Sequence, residues 1–142
     1  MASDVVLDAS VIVKWYLQEQ ESPTALVFKE RLSAGRIRAI LPEFGLLEIL
    51  NALVFKRYFA NPGALAPSAL LAETHRLLEL IPLSDSSLLQ TIRLSQQHGL
   101  SVYDASYLTL SLERNLQYIT ADYRATPRMS AFQNIVELRS VS

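Results

Sequence analysis

The sequence predicts one α/β domain over residues 1–142, a three-layer α/β/α sandwich with a central, mainly parallel sheet. Short β-branched apolar runs alternate with longer amphipathic stretches along the chain, the pattern of strands joined by helices. The first run, Val5-Val6-Leu7, is apolar at consecutive positions, as a strand covered on both faces must be. At 142 residues, half of them hydrophobic, the chain suits one core and is too short for two.

Val5-Val6-Leu7 stops at Asp8-Ala9-Ser10, and an amphipathic segment then runs to Leu17. Ser22-Pro23 reads as a helix start, with Ser22 as N-cap and Pro23 at the first helical position; this helix continues towards Gly35. Residues 36–41 are the second strand. Pro42 and Glu43 open a longer helix in which Phe44, Leu47, Leu50, Val54 and Tyr58 recur at helical spacing, and Asn61-Pro62-Gly63 ends it. Residues 65–80 read as another helix, followed by a minimal strand, Ile81-Pro82-Leu83. Ser84 or Asp85 caps a helix that ends at His98-Gly99, with Gly99 at the left-handed stop. Ser101 opens the next, to about Arg114, and Tyr118-Ile119-Thr120 and 135–138 are the last strands.

Composition excludes several classes. There is no cysteine, so neither a disulfide framework nor a thiolate metal site can form. The 4 glycines and 6 prolines are too few for a collagen-like or turn-dense chain. No apolar run approaches the roughly 18–20 residues that span a bilayer. Met1-Ala2-Ser3-Asp4 lacks the basic start of a signal peptide, so a soluble cytoplasmic protein with no membrane role is expected. The net charge of −1 neither demands nor excludes nucleic acid.

Four acids stand in unusual company. Asp8 follows a buried strand, and every neighbour but Ser10 is apolar; it either caps the next helix or belongs to a site at the sheet's ligand-binding edge. Glu48 is the single acid in the apolar stretch 44–53, with Asn51 one turn away on the same face. Asp104 stands three residues after Ser101, the spacing of a capping box, which needs no catalysis. Asp122 lies two residues beyond Thr120, in a loop where aspartate is ordinary.

Taken in order, the segments around these acids resemble the PIN-domain family, and most closely the VapC-type toxins of toxin–antitoxin pairs. The segments are Val6-Leu7-Asp8-Ala9-Ser10-Val11-Ile12-Val13-Lys14-Trp15, Leu46-Leu47-Glu48-Ile49-Leu50-Asn51-Ala52-Leu53, Tyr103-Asp104-Ala105-Ser106-Tyr107-Leu108 and Ile119-Thr120-Ala121-Asp122-Tyr123-Arg124. The resemblance puts the family's four acidic positions on Asp8, Glu48, Asp104 and Asp122, and accompanying polar positions on Ser10, Asn51 and Thr120. It implies a Mg²⁺- or Mn²⁺-dependent endoribonuclease, often a homodimer, inhibited by a small antitoxin protein. Tyr123 departs from it, since many relatives carry a basic or polar residue there.

Physical chemistry is consistent with that picture. Two unit charges about 4 Å apart at an effective dielectric of 20 repel by roughly 4 kcal/mol, so clustered carboxylates need protons or a divalent cation. Oxygen ligands without histidine or thiolate favour Mg²⁺ or Mn²⁺. Asp8, Glu48 and Asp104 are the expected ligands, directly or through water, with Asp122 orienting a water or a second ion. Ser10 and Thr120 read as hydrogen bonders behind the acids. Candidate RNA phosphate contacts are Lys14, Arg36, Arg38, Lys56, Arg57, Arg124 and Arg128. Trp15, Tyr16 and Phe44 read as core or interface, and His75 and His98 as isolated. Surplus apolar residues in 46–59 and 11–17 suit a groove for an antitoxin helix or a dimer interface. The rival to an enzyme is a catalytically silent PIN-like binding module. Aspartyl-phosphate enzymes rank low, because position 10 is serine where the dehalogenase pattern wants a second aspartate.

Overall fold

The computed structural model describes residues 3–141. Its sheet is wholly parallel, with five strands in the order β3-β2-β1-β4-β5: β1 is Ser3–Leu7, β2 Ile37–Pro42, β3 Leu78–Ile81, β4 Tyr118–Thr120 and β5 Ile135–Glu137. Parallel strands need crossovers, and helices provide them. Helix α1 (Ala9–Ile12) continues into a 3₁₀ turn (Val13–Trp15), then come α2 (Ser22–Ser33), α3 (Gly45–Phe55), α4 (Pro67–Leu77), α5 (Asp85–His98) and α6 (Val102–Arg114). Helix α2 packs on β2 and α4 on β3, while α6 lies across β1, β2 and β4 with α5 outside it, giving the three layers. Val6, Leu7, Ile40 and Leu41 are fully buried, as consecutive apolar strand residues require. Among the described residues no helix is long and apolar enough to cross a membrane.

Strand order reverses at β1. The chain moves outward through β2 and β3, then returns over the opposite face to place β4 on β1's other side. Such a switch point opens a crevice at the carboxyl ends of the two adjacent strands. Asp8 follows β1 and Asp122 follows β4, so both acids stand at this crevice.

Four local expectations need correction. Ser22 is the first helical residue, not the cap; its Oγ donates to the Leu17 carbonyl and accepts from the Glu19 amide, both at 2.9 Å. These partners close the preceding loop, while Glu21 at the cap position takes a left-handed φ of 64°. Pro42 ends β2 instead of opening a helix, a place where a missing N–H is tolerated. Helix α4 stops at Leu77, because Leu78-Glu79-Leu80 alternates in a way that also suits a strand and pairs with 39–41 of β2. Finally, α3 buries Gly45, Ile49 and Leu53, whereas Leu47, Val54 and Phe55 are 69%, 64% and 81% exposed. A helix apolar nearly all round leaves the choice of inward face to its neighbours.

Candidate active site

Asp8 caps α1 and is also buried, at the end of β1 that opens on the crevice. Its backbone is extended (φ −69°, ψ 149°), prolonging β1 by one residue, and its side chain is 6% exposed. Oδ2 accepts from the Ser10 amide at 3.0 Å, and Oδ1 accepts from the Tyr118 hydroxyl at 2.9 Å. Glu48 stands in the first turn of α3, half-buried, and accepts at Oε1 from the Tyr107 hydroxyl at 2.9 Å. Asp104 stands in the first turn of α6, where its amide donates to the Ser101 cap at 3.0 Å. The capping reading of this pair is therefore right for the backbone, and the Asp104 carboxylate stays in the crevice beside Asp122.

Hydroxyls tie the loops that carry the acids. Ser10 Oγ accepts from the Ala121 amide at 2.9 Å and lies 3.5 Å from Thr120 Oγ1, joining the ends of β1 and β4. Thr120 Oγ1 in turn accepts from the Asp122 amide at 3.0 Å, and Asp122 Oδ1 accepts from the Arg124 amide at 3.2 Å. Ser10 and Thr120 thus brace the two loops from which Asp8 and Asp122 project. Asn51 lies one turn beyond Glu48, on the exposed side of α3.

The four acids feel one another. Burial pushes Glu48 up to about 7, with the charges of Asp8, Asp104 and Asp122 adding to it and the Tyr107 hydrogen bond opposing. Burial likewise pushes Asp104 up to about 6, helped by the charges of Asp8 and Asp122. Asp8 is raised as well, by burial first, against the hydrogen bonds from Ser10 and Tyr118. Among the described residues, however, no three acidic or histidine side chains close around a single point.

The basic residues divide. Arg124 and Arg128 line a cleft of about 330 Å³ together with Asp104, Asp122 and Ser101. Arg36 and Arg38 do not rim the site. Arg38 is in register with Asp4, four residues and about 13 Å before Asp8 along parallel strands, and it is paired with Asp4 and Glu79. Both arginines therefore lie towards the opposite edge of the sheet. Lys14 is held by Glu19 at 3.5 Å and lines a separate cleft beside Trp15. Lys56 and Arg57 follow the far end of α3, about 12 Å of helix beyond Glu48. A larger cleft of about 770 Å³ between α3 and β3, lined by Phe44, Leu47, His75 and Leu80, contains none of the four acids.

Aromatic residues resolve similarly. Trp15 is core, its Nε1 donating to the Ala25 carbonyl at 2.9 Å, and Val11, Ile12 and Val13 are buried with it. Tyr16 and Leu17 of that segment stay half-buried and line the cleft beside Trp15, leaving less apolar surface open than α3 does. Tyr123, where the resemblance departs, donates to Glu21, accepts from the Arg139 amide at 2.9 Å and lies under the Arg139 guanidinium. It clasps the loop after Asp122, a role that a short polar side chain would not fill.

The tyrosines Tyr107 and Tyr118 escaped the sequence reading. Tyr118 looked like one more strand residue and Tyr107 like one more apolar helix position. The available signal was a phenol at a position the helix or strand pattern buries, since a buried phenol needs a partner. Gly45 has a related purpose. A Cβ there would come within 2.6 Å of Leu41 Cδ1 and 2.7 Å of the Tyr107 hydroxyl. Gly45→Ala is expected to destabilise the fold by roughly 1–3 kcal/mol through overpacking. Urea denaturation checks this, and an unchanged midpoint would mean that Leu41 simply yields.

The profile of the PIN domain matches residues 5–130 of the chain. Among curated proteins no sequence matches. Of solved structures, PAE2754 from Pyrobaculum aerophilum is similar with a TM-score of 0.62 at 20% identity, over 99% of this chain and 94% of that one. A toxin–antitoxin complex from Klebsiella pneumoniae is similar with a TM-score of 0.63 at 15% identity, over 94% of this chain and 97% of that one. At such identities the likeness to these two structures is one of fold.

Proposed function

The chain belongs to the PIN-domain family, and we propose that it is a divalent-metal-dependent endoribonuclease, the toxin of a type II toxin–antitoxin pair. The observation that carries this reading is the placement of four acids, from four separate elements, around the crevice at the sheet's switch point. A fold has no structural need for negative charge that it must partly desolvate, whereas a cation site does.

The donor chemistry suits such an ion, with water completing the contacts that no three of the described side chains close on their own. The donors are carboxylate and hydroxyl oxygens, and the chain has no cysteine, which suits Mg²⁺ or Mn²⁺. Asp8, Glu48 and Asp104 would hold it, directly or through water, with Asp122, which lines the cleft with Asp104, orienting a water or a second ion. A bound ion supplies Lewis-acid stabilisation of the charge that builds on phosphate oxygens and makes water a stronger acid. The protein's own part is positioning. The hydroxyls of Ser10 and Thr120 fix the two loops, and Arg124 and Arg128 offer positive charge to the RNA backbone beside Asp104 and Asp122.

An antitoxin partner and a homodimer are part of the same reading. The exposed residues Leu47, Val54 and Phe55 of α3 offer the apolar surface that a partner would cover. That one similar structure is a toxin–antitoxin complex supports the antitoxin. Isolation of a tight complex with the product of the adjacent gene tests it, and a chain that binds no such product contradicts it. Cytoplasmic residence belongs to the same reading.

Cleavage of mixed RNA by the purified protein in Mg²⁺, Mn²⁺ or EDTA tests the activity. Cutting only with metal is the expected result; cutting that persists in EDTA would overturn it. The two edges of the sheet give an internal control. Arg124→Ala and Arg128→Ala are each expected to weaken RNA binding and to reduce the salt dependence of affinity by about 0.7 in slope, whereas Arg36→Ala leaves both unchanged. Fluorescence anisotropy over a salt series reads this out, and equal losses in all three would reject the assigned polarity of the site.

A further inference from the structure

We propose that Tyr107 and Tyr118 are positioning residues, a stacked pair whose hydroxyls aim the carboxylates of Glu48 and Asp8 at a shared divalent cation. This inference rests on the metal-nuclease reading above and deepens it.

Strand register places the first tyrosine. Tyr118 of β4 is the parallel partner of Val6 in β1, so both side chains leave the same face of the sheet. Asp8 prolongs β1 in extended conformation and returns to that face two residues on, about 6.6 Å further. A tyrosine is long enough to reach it, and the Tyr118 hydroxyl donates to Asp8 Oδ1 at 2.9 Å. The second tyrosine comes from the helix that covers this face. Tyr107 follows Asp104 by three residues in α6, and its ring stacks on Tyr118 with centroids 5.7 Å apart and planes within 6°. Its hydroxyl donates to Glu48 Oε1 at 2.9 Å, reaching across to α3. Gly45 makes room for that crossing, because any Cβ there would meet the hydroxyl at 2.7 Å.

Both tyrosines are 1% exposed. Two phenylalanines would fill the same core without bringing polar atoms into it. Each hydroxyl instead gives its one proton to an acid on a different element. A carboxylate has about four lone-pair sites, so one or two such bonds fix its orientation and still leave capacity for a cation. Glu48 without its phenol bond would spread over several rotamers, and Asp8 without its own would be held at Oδ2 alone, by the Ser10 amide. Partners of this kind behind metal ligands typically matter by about 10- to 100-fold in metal affinity or activity.

The test is a Mn²⁺ titration by electron paramagnetic resonance, without RNA, of the wild type, Tyr107→Phe, Tyr118→Phe and the double variant. Tyr103→Phe, an exposed position on the same helix, is the control. The rings remain in every variant, so folding is retained, as circular dichroism checks. If Tyr118→Phe fails to fold, Tyr107→Phe carries the test alone, since its partner Glu48 is only half-buried. Each inner substitution is expected to weaken Mn²⁺ binding about tenfold or more and to lower kcat with the KM for RNA unchanged, while Tyr103→Phe does neither. Wild-type affinity in the folded Phe variants would overturn this proposal and leave the nuclease reading intact. A wild type that binds no Mn²⁺ would overturn the metal reading, and this proposal with it.

Discussion

Replacing Asp8 by asparagine is expected to reduce metal-dependent RNA cleavage at least about 10³-fold while raising the melting temperature of the metal-free protein. A cation's stabilisation of developing charge is worth several kcal/mol, and each 1.36 kcal/mol is a factor of ten in rate. The stability effect has the opposite sign because the folded state makes Asp8 bury a charge. Asp8 is 6% exposed, and burial and the charge of Asp122 both raise its proton affinity, so ionising it in the folded state is costly. Asparagine keeps the shape and caps a helix as well as aspartate does, so the Ser10 amide keeps its acceptor. Differential scanning fluorimetry in EDTA at pH 8, beside the cleavage assay, reads both effects. A variant that is less stable without metal would mean that the bonds from Ser10 and Tyr118 outweigh the buried charge.

The metal-free protein is also expected to lose stability as pH rises from about 4.5 to 7, and to level off above about 8. Glu48 is pushed up to about 7 from an ordinary 4.5, and Asp104 up to about 6 from 3.8. Between those values the folded state holds protons that the unfolded chain has released. Stability from these groups is therefore complete below the unfolded values and disappears as pH passes the folded ones. Glu73 and Glu137 act oppositely: their proton affinities are lowered, so their contribution is lost as pH falls below the ordinary glutamate range. An optimum near pH 5 follows in EDTA. A saturating divalent ion binds the ionised cluster and should stabilise the protein more at pH 8 than at pH 5. Melting temperatures across this range, with and without Mn²⁺, decide it. A flat or rising EDTA curve from pH 5 to 7.5 would show that the acids are not the strained groups described here.

Most of the element order was legible because it rests on local rules. Gly99 as the left-handed stop, Ser101 as a cap and Val5-Val6-Leu7 as a buried strand each depend on a few neighbouring residues. The errors fell where two local patterns were equally good. Leu78-Glu79-Leu80 suits a helix end or a strand, and pairing with β2 decided it. The apolar residues of α3 permit more than one inward face, and packing chose Ile49 and Leu53 over Leu47 and Val54. Asp8 and Glu48 were legible as charges in apolar surroundings, whereas Asp104 and Asp122 looked like ordinary cap and loop residues and stood out only through their order along the chain.

By itself, then, the sequence determined an α/β domain and singled out Asp8 and Glu48 as acids among apolar neighbours, because strand and helix periods and such contrasts are written in neighbouring residues. Only the tertiary structure decided which residues share an end of the sheet. Parallel register sent Arg36 and Arg38 away from Asp8, and crossover geometry brought Arg124, Arg128, Tyr107 and Tyr118 to the acids. The physical reason is direction. A side chain's partner across 59 or 110 residues depends on how strands are ordered and registered, and that order follows from how the whole chain buries its apolar faces together.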